Sequence, residues 1–295
     1  MRNIYVLSLA LLVAAMMAMP ANAAMWVGGE IGANFITSTD LTASGTGNYT
    51  YTIPADGPAI KKTVPVFFEL KYKDVAFQPS VLGGLSVGYD FVNAGFAGYA
   101  WPDWMKYFGF IVDFTYNRVV IRNQFLPVSG VVTAGGGLGT ITSSLFPHGN
   151  GYLFSATGAT SNGSLPCLAF LFYGHYGFFP DSEITIGRVH PYIGVGPAIA
   201  WTNLDLGPYG LGTATSVNVA LAVEGGVRFI LLPNVTCDLG FRYRYLTPSW
   251  SKSGNMTVPN ASPGGVGAFL SPATLKVSVD QINSMTVLCR VNYHF

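Results

Sequence analysis

Nine charged residues fall at the polar positions of stretches that otherwise alternate with apolar side chains. They are Glu30, Asp90, Asp113, Glu224 and Asp238, with Arg228, Arg242, Arg244 and Arg290. Carboxylates and guanidiniums placed this way can do three things. They can run acid–base catalysis, line a polar path for small solutes, or pair with one another and fill an interior. Catalysis needs more than charges: hydrolytic or acyl-transfer chemistry would need Ser, His and a third polar group. The four histidines, His148, His175, His190 and His294, are scattered and show no local signature with Ser. They also lack the spacing of a metal-ligand set, so no enzyme activity, metal or cofactor is expected. Cys167, Cys237 and Cys289 are an odd number without C-x-x-C spacing, unlike an exported disulfide scaffold. They read as small apolar fillers.

The elements that position these charges follow a period of two, the signature of strands with one face in each environment. Trp26 to Phe35 sets Val27, Ile31 and Phe35 against Trp26, Glu30 and Asn34. Similar alternation runs through Ser80–Phe91, Tyr107–Arg118, Cys167–Phe178, Pro191–Trp201, Val217–Leu231, Val235–Tyr245 and Ser284–Phe295. In each, one face is aliphatic and aromatic while the other carries the charged, amide and hydroxyl residues.

Composition says which face meets which solvent. Hydrophobic residues make up 50% of the chain and charged ones only 10%, against roughly 25% charged in typical soluble domains. After the N-terminal segment, nothing reaches the roughly 18 uninterrupted apolar residues of a spanning helix. A chain this apolar without such a helix has one other route into lipid, a closed β-barrel. The apolar faces are therefore expected outside, and the nine charges inside a lumen that side chains nearly fill. There they either form an ion-pair network that plugs the lumen or line a narrow passive path for small polar or hydrophobic solutes. The sequence leaves both open.

Connections alternate in length, as in an up-and-down outer-membrane barrel with short periplasmic turns and long extracellular loops. Eight strands are expected. Within the long connections, Val64 to Tyr72 and Arg118 to Phe125 still alternate, so projecting hairpins, or ten strands, remain an alternative. Across the tight turn Leu232-Pro233-Asn234, Leu231 is expected to pair with Val235. That register places Arg228 opposite Asp238 and Glu224 opposite Arg242, opposite charges in both cases.

The N-terminus carries an export signal. Arg2 precedes an apolar run from Ile4 to Met17, and Pro20 leads into Ala21-Asn22-Ala23, a small-residue cleavage site between Ala23 and Ala24. Residues 1–23 are thus expected to be removed, leaving residues 24–295 as one barrel domain. The mature chain would carry 14 basic and 14 acidic residues. That balance excludes the concentrated basic face that nucleic acid requires.

Trp26-Val27-Gly28-Gly29-Glu30-Ile31-Gly32, Pro191-Tyr192-Ile193-Gly194-Val195-Gly196, Phe241-Arg242-Tyr243-Arg244-Tyr245 and the terminal Val291-Asn292-Tyr293-His294-Phe295 resemble strands of the small outer-membrane barrels of the OmpA transmembrane domain, OmpX and Opa type. The resemblance covers the strands and not the loops. It implies delivery by periplasmic chaperones, insertion by the barrel assembly machinery, and Tyr293 with Phe295 as the assembly signal. It also implies outer-membrane lipid and lipopolysaccharide as surroundings, with loops free to meet an extracellular ligand. The separate peptidoglycan-binding domain of longer OmpA-like proteins is not expected, since the sequence ends at Phe295. N-terminal sequencing of the protein from the outer-membrane fraction should start at Ala24. Recovery from the inner membrane with Arg2 retained would refute the export reading.

Overall fold

A computed structural model describes residues 25–53, 60–91, 102–122, 125–134, 141–143, 150–152, 162–180, 182, 187–206, 211–258 and 268–295. The export segment and the Ala23–Ala24 cleavage pair lie outside the described residues. The strands are β1 (Met25–Ile36), β2 (Thr39–Ile53), β3 (Ile60–Val75), β4 (Ser80–Asp90), β5 (Phe108–Val120), β6 (Phe125–Ala134), β7 (Ile141–Ser143) and β8 (Asn150–Tyr152). They continue with β9 (Asn162–His175), β10 (Val189–Asp205), β11 (Thr213–Leu232), β12 (Val235–Leu246), β13 (Ser249–Val258), β14 (Ala268–Val279) and β15 (Ile282–His294). A 3₁₀ turn, Asp103–Tyr107, precedes β5.

Eight of these strands close into an antiparallel barrel in the order β1-β4-β5-β9-β10-β11-β12-β15, with β15 returning to β1. These are the eight segments that alternate in the sequence, each paired with the one before and after it. Alternation sets the faces. Ile31, Val81, Ile193, Val219, Leu239 and Val287 point outward and are 53–80% exposed, a surface suited to hydrocarbon rather than water. Trp26, Glu30, Asn34, Asp113, Arg242 and Arg290 point inward and are buried. A transmembrane strand needs about 9–11 residues, and the barrel strands run from 11 residues in β4 to 20 in β11.

The surplus length and the long connections build a second sheet, in the order β13-β14-β2-β3-β6-β7, with β8 also pairing with β6. Ten barrel strands are therefore not formed. Val64–Tyr72 belongs to β3, which folds back on β2 and does not enter the barrel. Of Arg118–Phe125, the first residues end β5 and Phe125 opens β6. On the second sheet Leu41, Ala43, Tyr72, Leu275 and Val277 are buried, while Thr46, Lys71, Thr274 and Lys276 are exposed. The buried face continues into the barrel mouth, where Phe77, Ile121, Leu165, Leu204, Trp250, Val279 and Ile282 join the same core. The Trp250 indole N–H, donating to the Thr202 carbonyl at 2.9 Å, ties β13 to β10.

The β11–β12 turn corrects one expectation. Arg228 does pair with Asp238 and Glu224 with Arg242, but Leu232 rather than Leu231 faces Val235. The register shifts between Ile230 and Leu232, so Leu231 is the extra residue of a bulge. The turn itself is Pro233-Asn234. A bulge adds one residue to one strand without moving the pairs beyond it, so the charged rows keep their partners.

At the short-turn end two aromatic side chains lie flat over glycines of neighbouring strands, Trp26 over Gly88 and Tyr173 over Gly109. A methyl group at Gly88 would overlap the Trp26 indole, whereas one at Gly29 meets nothing. Gly88→Ala should therefore destabilise the barrel by about 1–3 kcal/mol through overpacking, and Gly29→Ala should be close to neutral. Urea unfolding followed by the gel shift between folded and heated protein measures both. Equal midpoints for the two variants would refute this packing.

Candidate functional site in the barrel lumen

The charged layer begins with a row of cross-strand neighbours. Glu30 on β1 faces Arg290 on β15, Arg290 faces Asp238 on β12, and Asp238 faces Arg228 on β11. Charge alternates in sign along the row, so each residue flanked on both sides has opposite charges as neighbours. Arg228 holds Asp238 with two parallel bonds, Nε to Oδ1 at 2.9 Å and Nη2 to Oδ2 at 3.2 Å. Its Nη1 lies 3.7 Å from Asp90 Oδ1, which also accepts the Tyr173 hydroxyl. Above this row sits the second facing pair, where Arg242 Nε donates to Glu224 Oε2 at 2.7 Å.

The rows are joined across the lumen. Arg242 Nη1 reaches Glu30 Oε1 at 3.1 Å, and its Nη2 reaches Asp113 from β5 on the opposite wall. Arg290 donates to Glu30 at 2.9 Å and to Glu224 at 3.0 Å, with Asp238 at 3.4 Å and Asp113 at 3.5 Å. Two guanidiniums thus hold the carboxylates of four strands within one layer. Neutral groups complete it: the Tyr192 hydroxyl donates to Glu224 at 2.9 Å, and Asn292 Nδ2 donates to Asp238 at 3.0 Å. Charge-assisted bonds of this kind are the strong ones, and they offset the desolvation that an unpaired buried charge would suffer.

The structure brings together eight of the nine charged positions singled out in the sequence. Arg244 stands apart. It is buried, donates from Nη2 to Thr115 Oγ1 at 2.8 Å, and makes none of the ion pairs found among the described residues. Sequence reasoning missed two further parts of the lumen. One is the apolar fill above the charges, signalled only by inward Leu246 and Trp250 after Arg244 and by inward Ile282 before Arg290. The other is His190, buried near the start of β10 and close to His175 on β9. Its Nδ1 lies 3.1 Å from His175 Nδ1, and its Nε2 donates to the Gly187 carbonyl at 2.9 Å. With His294 and Asp90 these imidazoles line a cavity of about 810 Å³ at the short-turn mouth. No group of three His, Cys, Asp or Glu among the described residues is arranged to hold a metal ion. His148 lies outside the described residues.

No protein-family model matches the chain, and no curated protein does. Solved structures do align with it. The outer membrane protein OprG from Pseudomonas aeruginosa is 14% identical over 93% of this chain and 98% of that one, with a TM-score of 0.41. Neisserial surface protein A is 14% identical over 88% of this chain and 99% of that one, with a TM-score of 0.34. The outer membrane protein AlkL is 14% identical over 94% of this chain and 93% of that one, also with a TM-score of 0.34. The eight-stranded barrel stands on its own strand pairing rather than on these likenesses.

The layer makes a sharp energetic demand. Arg290→Met would leave Glu30, Glu224 and Asp113 sharing Arg242 alone, and should cost about 3–5 kcal/mol, the usual penalty for breaking a buried pair. Glu224→Gln should cost the same order. Arg244→Met removes one hydrogen bond to a hydroxyl and should cost less than either. Equal urea midpoints for Arg290→Met and the parent protein would show that the layer does not hold the barrel.

Proposed function

We propose that this chain is an outer-membrane protein whose barrel is a closed anchor and whose second sheet is a surface element for interaction outside the cell. The observation that carries the reading is the lumen, which is filled twice. The ion-pair layer spans it from Glu30 to Asp113. Above that layer, Leu165, Leu204, Trp250 and Ile282 pack with the second sheet's apolar face. A polar solute that passed the charges would meet a hydrophobic plug, and an apolar solute would meet the charges first. Both barriers weigh against the alternative of a narrow passive channel.

The outward aromatic ends fit a membrane setting. Tyr293 and Phe295 stack edge to face at 5.5 Å on the exposed surface, and the Phe295 N–H closes on the Met25 carbonyl at 3.1 Å. This exposed pair is the proposed feature by which periplasmic chaperones and the assembly machinery handle the last strand. Lipid and lipopolysaccharide are the proposed surroundings of the apolar belt. The role assigned is not catalytic. An extracellular ligand would meet the second sheet, whose exposed face carries Thr46, Thr274, Lys71 and Lys276. In a planar bilayer the purified protein should give no steady conductance. Stable unitary currents that persist when the loops are trimmed would overturn the closed-anchor reading in favour of the channel.

A further inference from the structure

Two of the three cysteines meet. Cys237 on β12 faces Val291 on β15, and Cys289 on β15 faces Leu239 on β12. The two are therefore diagonal neighbours on adjoining strands, and both belong to the outward-facing set. Their sulfur atoms are 3.8 Å apart. Cys167 is fully buried on β9, a different part of the wall. The chain has only three cysteines in 295 residues, and two of them converge although 52 positions separate them.

We propose that Cys237 and Cys289 are a disulfide site that ties the last strand of the barrel to β12. A disulfide needs its sulfur atoms at about 2.05 Å, so the pair must close by roughly 1.7 Å, which for diagonal neighbours takes a local shift of the two strands together with side-chain rotation. The pair sits near the short-turn end, since Cys237 follows Pro233-Asn234 by three residues. A water-borne oxidant can reach it there before or during insertion. Oxidation converts two thiols to one disulfide. The two electrons and two protons pass to a disulfide-bearing thiol oxidant, which leaves as two thiols. This step rests on the export reading, because disulfides persist in oxidising compartments and rarely in the cytosol. The bond would enclose the whole β13–β14 excursion in a covalent ring. That restricts the unfolded chain and fixes the β12–β15 seam, where this excursion leaves the barrel and returns.

The experiment has two arms. In the first, the full chain is isolated from membranes in the presence of a membrane-permeant alkylating agent, denatured, and weighed intact. The expected result is one alkylated cysteine, Cys167, rising to three after reduction. In the second, reduced folded protein in detergent micelles receives dipyridyl disulfide. The expected result is a mass loss of two hydrogens, two released pyridinethiones for the bridged pair, and a Cys237–Cys289 cross-linked peptide. Cys289→Ser should instead leave a mixed disulfide on Cys237. Failure to bridge in micelles, or a bridge that includes Cys167 in either arm, overturns the proposal. Bridging in micelles with three free thiols in cells supports the pairing and refutes the export reading.

Discussion

Hydrocarbon offers no hydrogen bonds, so every backbone N–H and C=O at membrane depth must find its partner within the chain. Closure of β1 onto β15 meets that demand, because it leaves no edge strand in the ring. The remaining features follow. Closure with eight strands leaves a bore just wide enough for side chains, so whatever points inward is buried, polar or not. Polar inward residues must then satisfy one another, and the alternating row Glu30, Arg290, Asp238, Arg228 is how they do so. The row also discriminates between registers. A slip of one residue between β11 and β12 would turn the charges of one strand into lipid, Glu224 and Arg228 or Asp238 and Arg242, and a slip of two would part Arg228 from Asp238.

The eight barrel strands and two of their ion pairs are legible in the sequence because both depend on a period of two and on complementary charge. Arg228 with Asp238 and Glu224 with Arg242 need only the turn and the alternation. The bulge at Leu231 leaves those pairs unchanged, and so it could not be inferred from them. The continuation of the row to Arg290 and Glu30 was not legible, because it joins the two ends of the chain. Only ring closure places residues 260 positions apart in contact. The meeting of His190 with His175 was not legible for a similar reason: only the pairing of β9 with β10 brings the two together. The second sheet was visible as alternation but not as a sheet. Its pairings join β2 to β14 and β3 to β6, across whole barrel strands in sequence, with no local turn to announce them.

Two different fills of one lumen call for a physical reason. Buried ion pairs are weak contributors to stability compared with apolar packing of similar volume, so cohesion alone would favour hydrocarbon throughout. A barrel exported as proposed here would face a prior constraint. Strands apolar on both faces would join into long hydrophobic runs, and such runs are what the inner membrane retains as spanning helices. Polar inward residues keep each strand's average hydropathy down while the outward face stays apolar. Charges are tolerable there only if paired, and the layer around Arg242 and Arg290 pairs them.

Beyond the membrane the constraint reverses, and the same alternation turns inside out. Along β12 the inward residues run Asp238, Arg242, Arg244 and then Leu246, followed by Trp250 on β13. Along β15, read from the other end, Asn292, Arg290 and Leu288 give way to Thr286 and Ser284, and then to Ile282. On the second sheet the polar residues Thr46, Lys71 and Lys276 take the outer face and the apolar ones the inner. A period of two is therefore kept through both regions, while the identity of the wet face switches at one level of the molecule. Because that switch occurs on β12 and β15 at matching heights, Leu246 facing Ile282 across the pair, the buried apolar residues form one layer on top of the charged one. The strands leaving the barrel are thereby packed onto its mouth through their own apolar face, which joins the second sheet to the barrel through a shared core.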